Sequence, residues 1–172
     1  MRALVVYESM FGNTQTIAEA VAEGLAAHIS VVTAEVGAAP PTLADGVELL
    51  VVGGPTHAFG LSRPNTRKSA VDQAKRPVVS TGIGLREWLD TLQRRSSGVA
   101  AVAFDTKVSK PRLPGSAARA ATRRLRRLGF AIAAPAETFY VAGTPGPLLP
   151  GEAERARRWA DVLGSRLSVA TS

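Results

Sequence analysis

Short apolar runs alternate with segments of helical periodicity along the chain, and this alternation constrains the fold more than any other feature. The run "ALVVY" that follows Arg2 is apolar throughout, which is typical of a strand buried on both faces. The alternation predicts an α/β protein, an open parallel sheet with right-handed crossovers and helices on both faces. The predicted strands are residues 2–8, 29–36, 47–54, 98–105 and 130–141, the last long or interrupted near Pro135; the predicted helices are 14–28, 66–75, 84–95, 116–130 and 152–167.

The composition agrees with this architecture. Apolar residues make up 45% of the chain and aromatic residues only 5%, so the core must consist mostly of Ala, Val, Leu and Ile. A chain of 172 residues fits one domain. We predict a single domain over residues 1–167, followed by a loose tail at 168–172.

Several classes of site and location are disfavoured by what the sequence contains. It has no cysteine, which excludes disulfides, thiolate nucleophiles and cysteine-based metal sites, and we expect no metal site. No stretch approaches the roughly 20 apolar residues of a membrane helix. We therefore expect a cytoplasmic protein with no membrane partner.

The charge is distributed unevenly along the chain. The net charge of +7 combines −5 over residues 1–60 with +12 over residues 61–172. This asymmetry indicates an acidic partner, although a solvated helical surface would give the same pattern. The arginines at 119–127 have the spacing of a phosphate-binding stripe. No aromatic residues are interleaved among them for base stacking, so a nucleic-acid partner is disfavoured.

The segment after the first strand has the composition of a phosphate-binding loop. "ESMFGNT" (8–14) places small and hydroxylated residues where a helix begins, and a helix N-terminus binds phosphate through free backbone N–H groups. Ser, Asn and Thr are also common helix caps, so a plain capping turn is the alternative. The chain has no P-loop lysine motif, no complete dinucleotide fingerprint and no G-x-S-x-G elbow.

Two separated motifs together resemble those of flavodoxins. "S-x-x-G-N-T" follows the first strand, and "G-G-P-T" with His57 follows the third. The resemblance also covers the length of the chain and the order of its elements. It implies a flavodoxin-like three-layer sandwich with a five-stranded sheet in the order 2-1-3-4-5, non-covalent FMN and electron transfer.

The resemblance also implies a set of cofactor-binding residues in three loops and no catalytic residue, because the chemistry belongs to the flavin. The first loop would surround the 5′-phosphate. The second would lie near the isoalloxazine, and the third would face its pyrimidine edge or its other side. These residues are Ser9, Met10, Phe11, Gly12, Asn13 and Thr14; Pro55, Thr56, His57, Phe59 and Gly60; and Phe104, Asp105, Thr106 and Lys107.

The sequence departs from the flavodoxin pattern at three places. Phe11 stands where many flavodoxins carry a threonine, and His57 stands where a tryptophan often covers the flavin. Residues 105–115 contain no tyrosine, so Phe59 is the nearest aromatic. We expect weaker stacking on FMN than in typical flavodoxins. His57 has three possible roles: a flavin contact, a proton donor and a purely structural residue.

Three functions remain in order of preference. The first is an FMN-binding electron carrier whose acidic redox partners meet basic loops around the flavin, formed by Arg63, Arg67, Lys68, Lys107, Lys110 and Arg112. The second is an NAD(P)H-dependent flavin or quinone reductase of the same fold. The third is a non-redox binding module for an acidic partner.

Overall fold

A parallel sheet forms the centre of the computed structural model, which describes residues 1–93 and 98–170. Its strand order is β2-β1-β3-β4-β5, and β6 also pairs with β4. The predicted order is therefore confirmed. The chain runs outward from β1 in opposite directions to β2 and β3, and ligands of such sheets bind at this point, beyond the carboxyl ends of the strands. The strands are β1 (Arg2–Tyr7), β2 (Ser30–Glu35), β3 (Val47–Pro55), β4 (Ala100–Val108), β5 (Ala131–Ile132) and β6 (Glu137–Val141).

Helices cover both faces of the sheet. Side chains of α1 and α5 join one buried apolar cluster with Val5, Val51 and Phe104, and side chains of α3 and α4 join another with Val6 and Val52. No helix of the described residues is long and apolar enough to cross a membrane. The helices are α1 (Asn13–Ala26), α2 (Pro64–Gln73), α3 (Leu85–Thr91), α4 (Ala117–Arg127) and α5 (Glu152–Ala170), and Val36–Ala38 forms one 3₁₀ turn.

Three predicted boundaries differ from the structure. The helix predicted over 84–95 ends at Thr91, because Leu92 adopts an extended conformation; residues 94–97 lie outside the described residues. The fifth strand is interrupted, and its two parts β5 and β6 flank Pro135. Helix α5 continues to Ala170, so residues 168–170 are not a loose tail, while 171–172 lie outside the described residues.

Candidate functional site at the carboxyl ends of the strands

The loop between β1 and α1 is held in place by a neighbouring loop. The carbonyls of Ser9 and Met10 accept hydrogen bonds from the N–H groups of Ser80 (2.7 Å) and Val79 (3.0 Å). The N–H of Ser9 donates to Ser80 Oγ at 3.0 Å. Gly12 precedes the helix with φ 94°, a left-handed conformation that suits glycine. The N-terminus of α1 thus has a fixed position beyond the end of β1.

The N-terminus of α1 has no side-chain cap. Ser9 Oγ accepts from the N–H of Gly12 (3.1 Å), and the N–H groups of Asn13, Thr14 and Gln15 have no acceptor among the described residues. The start of α4 is different, because Ser116 Oγ and the Asp105 carboxylate accept from its N–H groups. The capping interpretation of residues 9–14 is therefore wrong, and the loop presents open donors at the positive end of the helix dipole.

A cavity of about 460 Å³ lies directly beside these donors. Its volume falls within the range of small-molecule sites, about 300–1,000 Å³. Four loops line it, each at the carboxyl end of a strand. The lining residues are Ser9, Met10, Phe11, Asn13, Thr14, Pro55, Thr56, His57, Thr106, Lys107, Val108, Val141 and Thr144.

Ten of the fifteen residues predicted to bind the cofactor line this cavity. Gly12 contributes the backbone turn beside it. Phe59 and Gly60 line a second, neighbouring cavity instead. The side chains of Phe104 and Asp105 do not line the first cavity, so the structure brings most of the predicted set together but not all of it.

The positions of Phe104 and Asp105 follow from the geometry of β4. Successive side chains of a strand point to opposite faces, so Asp105 lies on the face opposite Thr106. Its Oδ2 accepts from Ser116 Oγ (2.6 Å) and from the N–H of Ala118 (3.0 Å), which holds the start of α4. Phe104 is buried under β3, where a Cβ on Gly53 would lie 2.0 Å from its Cζ. Both are structural residues in this geometry.

A fourth loop was missed by the sequence analysis. Residues 142–150 follow β6, and Val141 and Thr144 line the cavity. Asn13 Nδ2 donates to the carbonyl of Pro145 at 3.2 Å. The signal was present, because "GTPGP" follows a parallel strand and therefore reaches the same edge of the sheet as the other three loops.

A pair of threonines closes the floor of the cavity. Thr14 Oγ1 and Thr106 Oγ1 lie 2.7 Å apart, and both residues are buried. This bond joins the start of α1 to the end of β4. Each hydroxyl carries one hydrogen and can accept further bonds. One of the two threonines therefore retains a proton that it can donate into the cavity.

His57 lies between the two cavities and lines both. Burial, and next the charge of Arg67, lower its pKa from 6.5 to about 4. The imidazole is therefore neutral at pH 7. Of its three predicted roles, donation of a proton from an imidazolium is disfavoured at neutral pH, and a contact or structural role is favoured.

The lowered pKa of His57 predicts acid sensitivity of the fold. An unfolded chain binds a proton at His57 below pH 6.5, whereas the folded chain does so only below about pH 4. We expect the free energy of unfolding to fall across this window, by up to roughly 3 kcal/mol. Urea unfolding at a series of pH values should show a shallower fall for His57→Asn. Equal pH dependence of the variant and the natural protein would contradict the assignment; His28 is present in both.

The basic residues expected around the flavin have different environments. Arg67 is buried, and its guanidinium donates to Ser62 Oγ (2.8 Å) and Glu87 Oε1 (2.6 Å). Lys68 pairs with Asp72 on the surface at 3.0 Å. These two are therefore not free charges at the rim, which corrects the prediction. Lys107 lines the cavity, and its ammonium donates to carbonyls of the following loop, including that of Gly115 (2.7 Å).

A buried carboxyl fixes the loop after β3 to the end of β1. Glu8 is 1% exposed, and its Oε1 accepts from Ser62 Oγ (2.8 Å) and from the N–H of Leu85 (2.6 Å). Burial raises its pKa. Ser62 also accepts from Arg67, so one connected network joins β1, the loop after β3 and the start of α3. The sequence analysis did not identify this network.

The sequence model for flavodoxin matches residues 5–136. The chain belongs to the flavodoxin family. Solved structures of this fold agree: oxidised flavodoxin 1 from Bacillus cereus superposes with a TM-score of 0.68 at 15% identity, covering 98% of this chain and 100% of that one. The flavodoxin of Streptococcus pneumoniae TIGR4 has a TM-score of 0.67 at 18% identity, covering 96% and 99%.

A second type of flavodoxin-fold protein is also similar. The WrbA-like flavodoxin from Agrobacterium tumefaciens has a TM-score of 0.60 at 18% identity, covering 99% of each chain. No curated protein matches the chain in sequence. At these identities the solved structures support the fold alone, and the flavodoxin family assignment rests on the match over residues 5–136.

Proposed function

We propose that this protein binds FMN non-covalently in the first cavity and transfers electrons. The observation that carries the proposal is the uncapped N-terminus of α1 beside a cavity of about 460 Å³. An anionic group is the natural partner of unpaired helix N–H donors, and the cavity supplies room for a ring system next to it. Flavin bound there would supply reversible one- and two-electron reduction.

The phosphate end of FMN fits the donors of residues 9–14. The N–H groups of Asn13, Thr14 and Gln15 are open, and the side chains of Ser9 and Asn13 line the same space. The left-handed conformation of Gly12 turns the backbone so that a phosphate can approach the helix axis closely. No lysine or arginine is required, because the helix dipole and the peptide donors hold the charge.

The ring end fits the other three loops. Pro55, Thr56 and His57 lie on one side of the cavity, and Val108 and Val141 supply apolar contacts. Phe11 also lines the cavity, although no tryptophan or tyrosine does so. Aromatic stacking contributes about 0.5–1.5 kcal/mol per pair beyond area effects, so FMN should bind less tightly than where two such rings enclose it.

A second candidate function is an NAD(P)H-dependent flavin or quinone reductase. The specific observation in its favour is the second cavity, which shares His57 with the first and is lined by arginines. An anionic reductant could therefore bind next to the flavin. An electron carrier that meets only protein partners has no need of such a cavity.

The visible absorbance spectrum of the purified protein tests the proposal. Flavin bands that stay with the protein after gel filtration, or after FMN is added to it, are the expected result. A protein that retains no FMN at micromolar concentrations would overturn it. Adding NADPH under anaerobic conditions separates the two candidates, because bleaching of the flavin without another protein would favour the reductase.

We infer that acidic redox partners meet the loop after β4. Lys110 and Arg112 are exposed and have no carboxylate partner among the described residues. A local positive potential accelerates encounter with anions. At low salt, the reduced holoprotein should therefore transfer electrons faster to ferricyanide than the Lys110→Gln/Arg112→Gln variant does, by about threefold or more. Rates for the cation hexaammineruthenium should change in the opposite direction. Equal rates for both proteins with both probes would contradict the inference.

A further inference from the structure

The second cavity encloses about 730 Å³ beside the candidate flavin site. It lies between the loop after β3, the start of α3 and one face of α4. Five of its twelve lining residues are arginines. They come from three separate segments of the chain and are Arg63, Arg86, Arg123, Arg124 and Arg127.

These arginines have few acidic partners. Within residues 1–93 and 98–170, Arg124 alone among the five forms a salt bridge, with Asp90. Arg86 donates to the carbonyls of Leu61 (2.8 Å) and Ser62 (3.1 Å), which leaves its charge uncompensated. The cavity wall thus retains an excess of positive charge, since His57 is neutral there at pH 7.

The arginines also lie close enough to repel one another. The pKa of Arg86 is lowered by burial first, and then by the charges of Arg124 and Arg63. Like charges held together in a partly buried space oppose folding. An anion that enters the cavity would offset this repulsion. The cluster is therefore better explained by an anionic ligand than by stability of the fold.

An aromatic ring stands at the edge of the same cavity. Phe59 is 57% exposed and lies in a tight turn that two backbone hydrogen bonds between His57 and Gly60 close at 2.9 and 3.0 Å. Ala58 and Phe59 have φ of 43° and 73°. Such turns favour Asn and Gly, and each residue in this region costs about 1 kcal/mol or more. The turn maintains a strained backbone that presents an apolar ring to solvent beside the arginines.

We propose that this cavity binds a nucleotide that carries a diphosphate. Guanidinium groups match phosphate oxygens in charge and in paired hydrogen-bond geometry. Phe59 offers a surface on which a base can stack. Two kinds of molecule share this chemistry: a free nucleoside diphosphate and a nicotinamide dinucleotide. The proposal deepens the reductase function and takes its redox meaning from it, but the binding itself does not require flavin.

The shape of the site favours a small ligand over an acidic protein. Arg86 and Arg124 are half-buried within a concave space, where a side chain of a folded partner has limited access. The volume lies within the range of about 300–1,000 Å³ typical of small-molecule sites. An acidic protein would instead meet the exposed basic residues around the cavity. This alternative is an outcome of the test.

Calorimetric titration of the FMN-free protein with ADP at low salt tests the proposal. One equivalent of ADP should bind, and Arg63→Gln/Arg123→Gln should weaken it at least about tenfold. Arg126→Gln/Arg119→Gln is the matched control, because both arginines lie on α4 outside the cavity lining and the net charge changes equally. Phe59→Ser should weaken ADP binding and leave pyrophosphate binding unchanged, which separates recognition of a nucleotide from attraction of a bare anion.

The remaining outcomes identify the source of the ligand or overturn the proposal. Tighter binding of NADPH than of ADP, with mutual competition, would assign the cavity to a nicotinamide dinucleotide; equal affinities would assign it to nucleoside diphosphates generally. Absence of ADP and NADPH binding, or equal losses in the cavity and control variants, would overturn it. Binding of polyglutamate alone would do the same in favour of an acidic protein. Loss of FMN binding in a separate titration would leave the ADP result intact.

Discussion

Replacing Asn13 by aspartate should weaken FMN binding by at least about 100-fold and leave riboflavin binding nearly unchanged. Asn13 is the first residue of α1 and lines the first cavity. An aspartate there would place a carboxylate among the N–H donors proposed to hold the phosphate. Repulsion between such close charges exceeds 2 kcal/mol at an effective dielectric constant of about 20. Riboflavin has no phosphate, so its affinity reports only the ring end.

Two controls separate charge from other effects in this experiment. Asn13→Ala removes the hydrogen bond to Pro145 without adding charge, and should cost FMN about tenfold or less. Asn65→Asp makes the same change in the first turn of α2, outside the cavity lining, and should leave both affinities unchanged. FMN binding fluorescence gives the dissociation constants. Parallel losses of FMN and riboflavin affinity in Asn13→Asp would show that the phosphate does not lie at α1.

The sheet was predictable from the sequence because its strands are strongly patterned. Runs such as Leu49–Val52 are apolar throughout, and only a strand covered on both faces suits them. Boundaries were less predictable. Nothing in "LDTLQRR" ends the helical periodicity of α3 at Thr91, and the break depends on how Leu92 packs into the core. Local pattern decides that an element exists, while tertiary contacts decide where it ends.

The candidate site was only partly predictable, for a related reason. Loop motifs locate residues at an edge of the sheet, but they do not show which way each side chain points. Asp105 lies in the predicted loop and nevertheless holds α4, because strand alternation turns it away from Thr106. Arg67 was expected at the rim and instead pairs with Glu87 under the surface. The partners of both residues are distant in the sequence.

The arginine cavity was beyond the reach of sequence reasoning. The periodicity of residues 116–130 correctly places Ala118, Ala121 and Leu125 inside, and it assigns the arginines to a solvent face. It does not show that Arg123 and Arg127 share this face with Arg63 and Arg86 from two other segments. That convergence depends on how α4 packs beside α3. An excess of charge that looks like a solvated surface in the sequence thus becomes a concave site in the structure.

Replacing Gly24 by alanine should destabilise the protein, although alanine normally stabilises a helix by about 1 kcal/mol relative to glycine. Gly24 is buried in α1 where that helix meets α5. A Cβ there would lie 2.2 Å from the carbonyl oxygen of Arg157 and 2.9 Å from Ala160 Cβ. The first of these atoms belongs to the backbone of α5, so the helices must separate. Overpacking of this kind costs about 1–3 kcal/mol or more.

We expect a net loss of about 2 kcal/mol and a Tm lower by about 4–8 °C in Gly24→Ala. Gly82→Ala is the matched control, because no atom lies within 4 Å of its added Cβ, and its Tm should change little. Since α1 also carries the proposed phosphate donors, FMN should raise the Tm of both variants by similar amounts if the helix moves as a unit. An unchanged or higher Tm for Gly24→Ala would mean that α1 and α5 separate at no cost. The close approach of the two helices would then not fix the position of the donors at Asn13.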